Sequence, residues 1–240
     1  MKLSNNKILI TGGASGIGLG MAERFLIENN KVIVCGRRED ALREAAQQLP
    51  GLITKQCDLE IPAEREALSA WVSKEHPDLN VIVNNAGVQN WMSVTDKDFF
   101  TRSQQEIAIN IEAPLHLVSL FLQLPSLTTI LNVTSGLAFV PLSKVPVYSA
   151  TKAFFHSFTL SLRYLLEGKN IEVIEVIPPA LNTDLGGPGI HDEFPPVSDF
   201  LDAIFAQLQT GSKELSFGFS AAMTKAGPPE LQQAFARMNP

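Results

Sequence analysis

Several function classes are excluded by what the chain has little of. It carries two cysteines in 240 residues, Cys35 and Cys57. That is too few for a disulfide framework, and neither has partners at ligand spacing, so no metal site is expected. Both fall in predicted strands and read as buried apolar side chains of a reducing compartment, which makes a cytoplasmic location the expectation. Cations are not in excess: the formal net charge is -6, and no Lys/Arg stripe stands out. Nucleic acid and anionic membrane surfaces are poor partners for such a chain, since both demand clustered cations. Long apolar runs are missing as well. The most apolar stretch, Ile111 to Leu124, is broken by Glu112, Pro114, His116 and Gln123 and does not read as a membrane span. Ile8 to Ile10 is too short for a signal-peptide core. There is no internal repeat, no low-complexity tract and no stretch of linker composition, so residues 1–240 are expected to form one domain.

What is present is ordinary globular material, 45% hydrophobic and 18% charged, enough for a full core. Short apolar runs alternate with amphipathic stretches. Strands are expected at Lys7–Thr11, Lys31–Cys35, Leu52–Cys57, Val81–Val83, Thr129–Thr134, Ile171–Ile177 and Leu215–Phe217. Helices are expected at Gly16–Glu28, Asp40–Leu49, Pro62–Lys74, about Thr101–Leu124, Val147–Glu167 and Ser198–Gln209. Strand–helix alternation with short connections gives an α/β fold, a parallel doubly wound sheet with helices on both faces. Ligands of such sheets bind at the carboxyl ends of the strands.

The first strand runs into Thr11-Gly12-Gly13-Ala14-Ser15-Gly16-Ile17-Gly18. Glycines allow a tight turn, and the N–H groups opening the next helix suit a pyrophosphate; the same residues could form a plain glycine-rich turn. After the second strand, where an acid would hold the adenosine ribose of NAD, stand Gly36, Arg37 and Arg38. A missing carboxylate and two cations suit a 2′-phosphate, so NADP(H) is favoured over NAD(H). Asp58 follows the third strand, as an acceptor for an adenine amino group or as a helix cap. Asn84-Asn85-Ala86-Gly87 follows the fourth, where small residues let a cofactor lie across the sheet.

Tyr148 and Lys152 share a helix face four residues apart. A phenol titrates near 10, too high for acid/base work at neutrality; the Lys152 ammonium, with a cationic nicotinamide, would lower it. Ser135, at the exit of the fifth strand, could hold a substrate oxygen where charge develops, or simply cap a turn.

These residues together resemble the short-chain dehydrogenase/reductase family. The matching positions are Thr11-Gly12, Gly16-Ile17-Gly18, Asn84-Asn85-Ala86-Gly87, Asn110, Ser135 and Tyr148 through Lys152, in family order and over nearly the whole chain. The resemblance implies a single Rossmann domain with about seven strands. It implies a tetrad of Asn110, Ser135, Tyr148 and Lys152, with Asn110 holding a water that links Lys152 to solvent. Gly12, Ser15, Gly16, Ile17, Gly18, Asn85, Ala86 and Gly87 would hold the cofactor with Tyr148 and Lys152, and the Leu181 backbone and Thr183 hydroxyl would hold its carboxamide. The family's Pro-Gly after the sixth strand is here Pro178-Pro179, which puts in doubt any role needing glycine at 179. More narrowly, the chain resembles the DltE-type oxidoreductases that share this variant. The tail is also short, with little sequence after the expected last strand.

Residues 184–199 read as a flexible substrate flap, with Gly186, Gly187 and Gly189 for mobility and Leu185 and Phe194 as an apolar cover; His191 reads as solvated. Val88, Gln89, Trp91, Leu137, Phe139 and Val140 are candidate pocket residues for a carbonyl or alcohol with a hydrophobic body. His116 and His156 read as packing. The long helices near 102–124 and 147–167 carry spare apolar residues, pointing to a homodimer or homotetramer. The expected function is hydride transfer between NADP(H) and a carbonyl/alcohol pair. The alternatives are a silent NADP(H)-binding sensor or scaffold, and a non-redox lyase or isomerase.

Overall fold

The computed structural model describes residues 1–240. Seven strands, β1 (Lys7–Thr11), β2 (Lys31–Gly36), β3 (Ile53–Gln56), β4 (Val81–Asn84), β5 (Thr129–Val133), β6 (Glu172–Ile177) and β7 (Glu214–Ser216), form one sheet in the order β3-β2-β1-β4-β5-β6-β7. Every pairing is parallel. The chain walks outward from β1 to β3, then returns so that β4 lies on the other side of β1. That reversal opens a crevice beyond the carboxyl ends of β1 and β4, where Ile10 pairs with Val83.

The central strands are apolar on both faces, as a sheet covered on both sides requires. Alternate residues feed two cores. Ile8, Ile10, Val32 and Val34 pack with Phe25 and Phe205 beneath α1 (Gly16–Ile27) and α7 (Val197–Gln209). Leu9 and Ile33 face the opposite layer of α3 (Pro62–Glu75), α5 (Ala113–Phe121) and α6 (Pro146–Leu165), with Leu68, Leu117 and Leu162. Phe25 and Phe205 meet with ring centroids 4.9 Å apart. α2 (Glu39–Gln48) covers the β2–β3 edge.

Four local expectations are corrected. The region 101–124 is α4 (Phe99–Ile107), a π-helical turn (Ala108–Glu112), then α5. Pro114 cannot return an N–H to the carbonyl of Asn110, so the regular helical ladder is interrupted there. Val197, Ser198 and Asp199 belong to α7 rather than to the preceding loop. Cys57 lies just past β3, buried and free like Cys35. Finally, the tail, for which no element was expected, is helical: α8 (Gly218–Met223) and α9 (Pro228–Met238) follow β7 and fold back over the crevice, where Asn239 donates to the Pro141 carbonyl at 3.1 Å and accepts from Ser143 N–H at 2.6 Å. The alternating pattern gave no warning of these helices because α9 buries no residue.

Candidate active site

The crevice is a cleft of about 1500 Å³ bordered by the exits of β1 to β6, the loop before α7 and the C-terminal tail. Its first wall is the turn between β1 and α1. Gly12 has φ +63°, and a Cβ there would stand 2.9 Å from the Ala86 backbone. A Cβ on Gly18 would press within 2.4 Å of the Gly12 carbonyl. Only bare backbone fits. The first N–H groups of α1, at Gly16, Ile17 and Gly18, have no helical partners and open toward the cleft. Ser15 is the N-cap residue but makes no capping bond, so its hydroxyl is uncommitted.

Thr11 stitches this turn to the exit of β4. Its hydroxyl accepts from the N–H groups of Asn85 and Ala86, each at 3.0 Å. The Asn85 amide donates back to the carbonyls of Thr11 and Gly12 at 2.9 and 3.2 Å. Arg37 and Arg38 are exposed at the cleft rim, and neither is in an ion pair with Glu39 or Asp40. Asp58 also borders the cleft; its carboxylate accepts from Glu60 N–H at 3.0 Å in a local turn, while Ile61 is the N-cap of α3. On the far side Leu181 is buried, and the Thr183 methyl stands 3.5 Å from the Cβ position of Gly16. The substitution at Pro179 therefore leaves these two residues at the cleft, and Pro178 still accepts from Gly136 N–H at 3.0 Å.

The chemical groups converge at the start of α6, where Pro146 occupies the first turn at no hydrogen-bond cost. Tyr148 is buried, and the Lys152 ammonium lies 5.6 Å from its ring centroid. Lys152 donates to the Val133 carbonyl at 2.9 Å. Burial pulls its ammonium down to about 8. Burial also pushes the Tyr148 phenol up, a push that the Ser135 hydroxyl opposes and the Glu106 carboxylate adds to. In the chain without a bound cation, desolvation is the largest influence on the phenol. Of the two readings of Ser135, the structure shows the capping one. It caps a 3-10 turn (Gly136–Ala138) by accepting from Leu137 N–H at 3.1 Å, and so keeps its own proton for Tyr148.

Asn110 sits in the π-helical turn with every amide atom in use. Its Oδ1 accepts from Val88 N–H at 2.9 Å, and its Nδ2 donates to the Val88 carbonyl at 2.9 Å and to Thr151 Oγ1 at 3.1 Å. Thr151 donates in turn to the Tyr148 carbonyl at 2.7 Å. Asn110 and Lys152 both line a small cavity of about 10 Å³.

Two functional neighbours escaped sequence reasoning. Arg102, Glu106 and Asn110 recur every four residues along one helical stripe and pin the segment after β4. Glu106, fully buried, accepts from the Asn90 N–H at 2.5 Å and its amide at 3.1 Å, and Arg102 donates to the Trp91 carbonyl at 2.9 Å. The period-four spacing of polar residues on α4 was the available signal. His156, read as packing, instead binds the fully buried Glu175 at 2.8 and 3.0 Å; that carboxylate also accepts from Thr134 at 2.7 Å and raises the imidazole's affinity for its proton. Phe139 packs against His156 with tilted rings, centroids 4.6 Å apart, and Val140 is buried; neither lines the cleft, whereas Val88, Gln89, Trp91, Leu137, Leu185 and Phe194 do. His191 is half-buried rather than solvated, 3.3 Å from the Thr183 carbonyl and edge-on to Phe194.

Comparison with known proteins agrees with this geometry. The family model described as short chain dehydrogenase matches residues 6–193. The "Uncharacterized oxidoreductase DltE" of Bacillus subtilis (strain 168) is 43% identical, with 100% of this chain and 98% of that protein aligned. The "NADP-dependent 3-hydroxy acid dehydrogenase YdfG" of Shigella flexneri is 30% identical over 71% of each chain. A short chain dehydrogenase from Burkholderia cenocepacia J2315, solved in complex with NADP, superposes with a TM-score of 0.84 at 23% identity, covering 99% of both chains. The chain belongs to the short-chain dehydrogenase/reductase family and is an oxidoreductase of the DltE-like kind.

Proposed function

We propose that the enzyme interconverts a carbonyl compound and its alcohol with NADP(H), using Tyr148 as the proton donor and acceptor. The observation that carries this reading is the burial of Tyr148 and Lys152 one helical turn apart, beside Ser135, at the mouth of the cleft. A dinucleotide suits the residues present. The bare turn at Gly12 and Gly18 excludes side chains where a pyrophosphate would approach, and the α1 N–H groups and the Ser15 hydroxyl are uncommitted. When bound, a nicotinamide supplies or takes the hydride. Tyr148 gives its phenolic proton to the forming alkoxide in reduction and takes it back in oxidation. Ser135 orients the same substrate oxygen. Lys152 counters the charge left on the phenolate, and the small cavity against Asn110 has room for about one water through which its proton is replaced. Leu181 and Thr183 would hold the carboxamide, while Asn85, Ala86 and Gly87 form the floor beneath the cofactor. Asp58 would meet the adenine with its remaining lone pairs.

Arg37 and Arg38, exposed and unpaired, favour a 2′-phosphate over a ribose hydroxyl; the names of the NADP-dependent relative and of the NADP complex agree with that preference. The flap over 184–196 is proposed to close on bound substrate, its glycines at 186, 187 and 189 all having positive φ. No helix is long and apolar enough to cross a membrane. A cytoplasmic location accords with two buried free thiols, the Cys57 thiol being raised by burial to about 11. The test is steady-state turnover of a carbonyl panel with each cofactor. NADPH should outperform NADH in kcat/KM by at least about tenfold, and Arg37→Ala should erase most of that ratio, since each charge-assisted contact is worth about 1.5–3 kcal/mol. A wild-type preference for NADH contradicts the cofactor assignment.

A further inference from the structure

Glu175 is a buried charge that the proton chemistry does not use. It lies in β6 with no exposed surface, in register with Asn132 of β5. Its neighbours along the strand, Val173, Ile174, Val176 and Ile177, are buried and apolar. Its one ion-pair partner is His156, whose Nδ1 stands 2.8 and 3.0 Å from the two carboxylate oxygens. The other charges nearby are engaged elsewhere: Arg163 donates to the carbonyls of Val173 and Lys213 and pairs with Glu214 at 3.3 Å. The Phe139 ring packs against the imidazole. Taking a carboxylate out of water is costly, and apolar side chains of similar volume commonly do as well or better in a core. Stability alone does not account for the pair.

The pair sits where three elements of the site meet. On α6, Tyr148, Lys152 and His156 follow at intervals of four and share one helical face. Lys152 ties that face to β5 through the Val133 carbonyl at 2.9 Å. One turn further on, His156 ties it to β6 through Glu175. The carboxylate then reaches across to β5, where Thr134 Oγ1 donates to it at 2.7 Å. Ser135 is the next residue, and its hydroxyl meets the Tyr148 phenol. Beyond it, Gly136 N–H donates to the Pro178 carbonyl at 3.0 Å. Glu175 thus joins the helix of Tyr148 and Lys152, the strand exit of Ser135 and the strand that leads to Leu181 and Thr183.

We propose that Glu175 and His156 are positioning residues: through Thr134 the pair locks α6 to the exits of β5 and β6 and so holds Ser135 against Tyr148. This rests on the hydride-transfer reading for what Ser135 and Tyr148 do; the lock itself can be read without turnover. Three variants test it. Thr134→Val removes the hydroxyl and keeps the ion pair, Thr134→Ser keeps the hydroxyl, and Thr134→Val with His156→Leu and Glu175→Leu makes the whole node apolar. Amide exchange at Leu137 reports whether Ser135 is held, because that N–H donates to the Ser135 hydroxyl at 3.1 Å. Exchange should be about tenfold faster in Thr134→Val and in the triple variant, and near the wild-type rate in Thr134→Ser. NADPH affinity should hold while kcat for carbonyl reduction falls about tenfold in the first two and recovers in Thr134→Ser. Made in Ser135→Ala, the same changes should cost no more than about twofold further, since residues acting through one group are not additive. The triple variant should melt at or above the wild-type temperature; Thr134→Val carries the test by itself where the triple variant does not fold. Unchanged Leu137 exchange in Thr134→Val, a Thr134→Ser variant as impaired as Thr134→Val, or a loss in kcat that adds in full to that of Ser135→Ala overturns the lock. Faster exchange in Thr134→Val, with no NADPH oxidation by the wild-type enzyme on any carbonyl, faults the hydride-transfer reading and leaves the lock standing.

Discussion

In the proposed reaction, Tyr148 would carry the proton chemistry under conditions set by burial. Desolvation raises the phenol and lowers the Lys152 ammonium to about 8, so the tyrosine holds its proton through neutral pH. The sign of the pH dependence follows. Carbonyl reduction consumes that proton and should keep its rate across neutrality, while alcohol oxidation needs the phenolate and should rise with pH. Initial rates in both directions over the same pH range check this; an oxidation rate falling with pH would contradict it. The Tyr148–Lys152 pairing was legible in the sequence because four residues on a helix make neighbours. Ser135 was legible as a turn cap at the exit of the fifth strand, and its substrate contact belongs to the proposed function. His156 was not, because its partner Glu175 sits on a distant strand and no helical period reports it.

At the scale of elements, the interrupted helix α4–α5 does more than cover the sheet. Its stripe of Arg102, Glu106 and Asn110 fixes the segment after β4, and thereby one wall of the cleft. Glu106→Gln keeps an oxygen for the Asn90 N–H, whereas Glu106→Ala leaves two donors unmet. The alanine variant should raise KM by about tenfold with a smaller change in kcat, and the glutamine variant should restore most of it, on the scale of one or two hydrogen bonds to a charged acceptor. Equal KM in both variants would remove the positioning role. A helix was legible here from its apolar face, and Pro114 marked the irregularity. Its placement of Asn110 was not legible, because a π-helical turn has no residue signature of its own. Helices α8 and α9 were missed for the opposite reason, having too little buried surface to leave a pattern.

For the whole molecule, the alternation of seven strands with helices was enough to anticipate the doubly wound sheet and the position of its cleft, since right-handed crossovers leave few alternatives. Association was anticipated from the spare apolar residues on the long helices, and Phe100, Phe154, Leu160, Tyr164 and Leu165 are indeed exposed on α4 and α6. We expect them to meet in an isologous dimer, so sedimentation at micromolar concentration should give twice the chain mass or a multiple of it; a monomeric mass would contradict this. The central claim, that this fold brings a buried tyrosine to a nicotinamide for proton transfer coupled to hydride transfer, is tested most directly by single-turnover NADPH oxidation in Tyr148→Phe. The account predicts unchanged NADPH affinity with a rate lower by about a hundredfold or more; a variant that binds NADPH and oxidises it at the wild-type rate would contradict it.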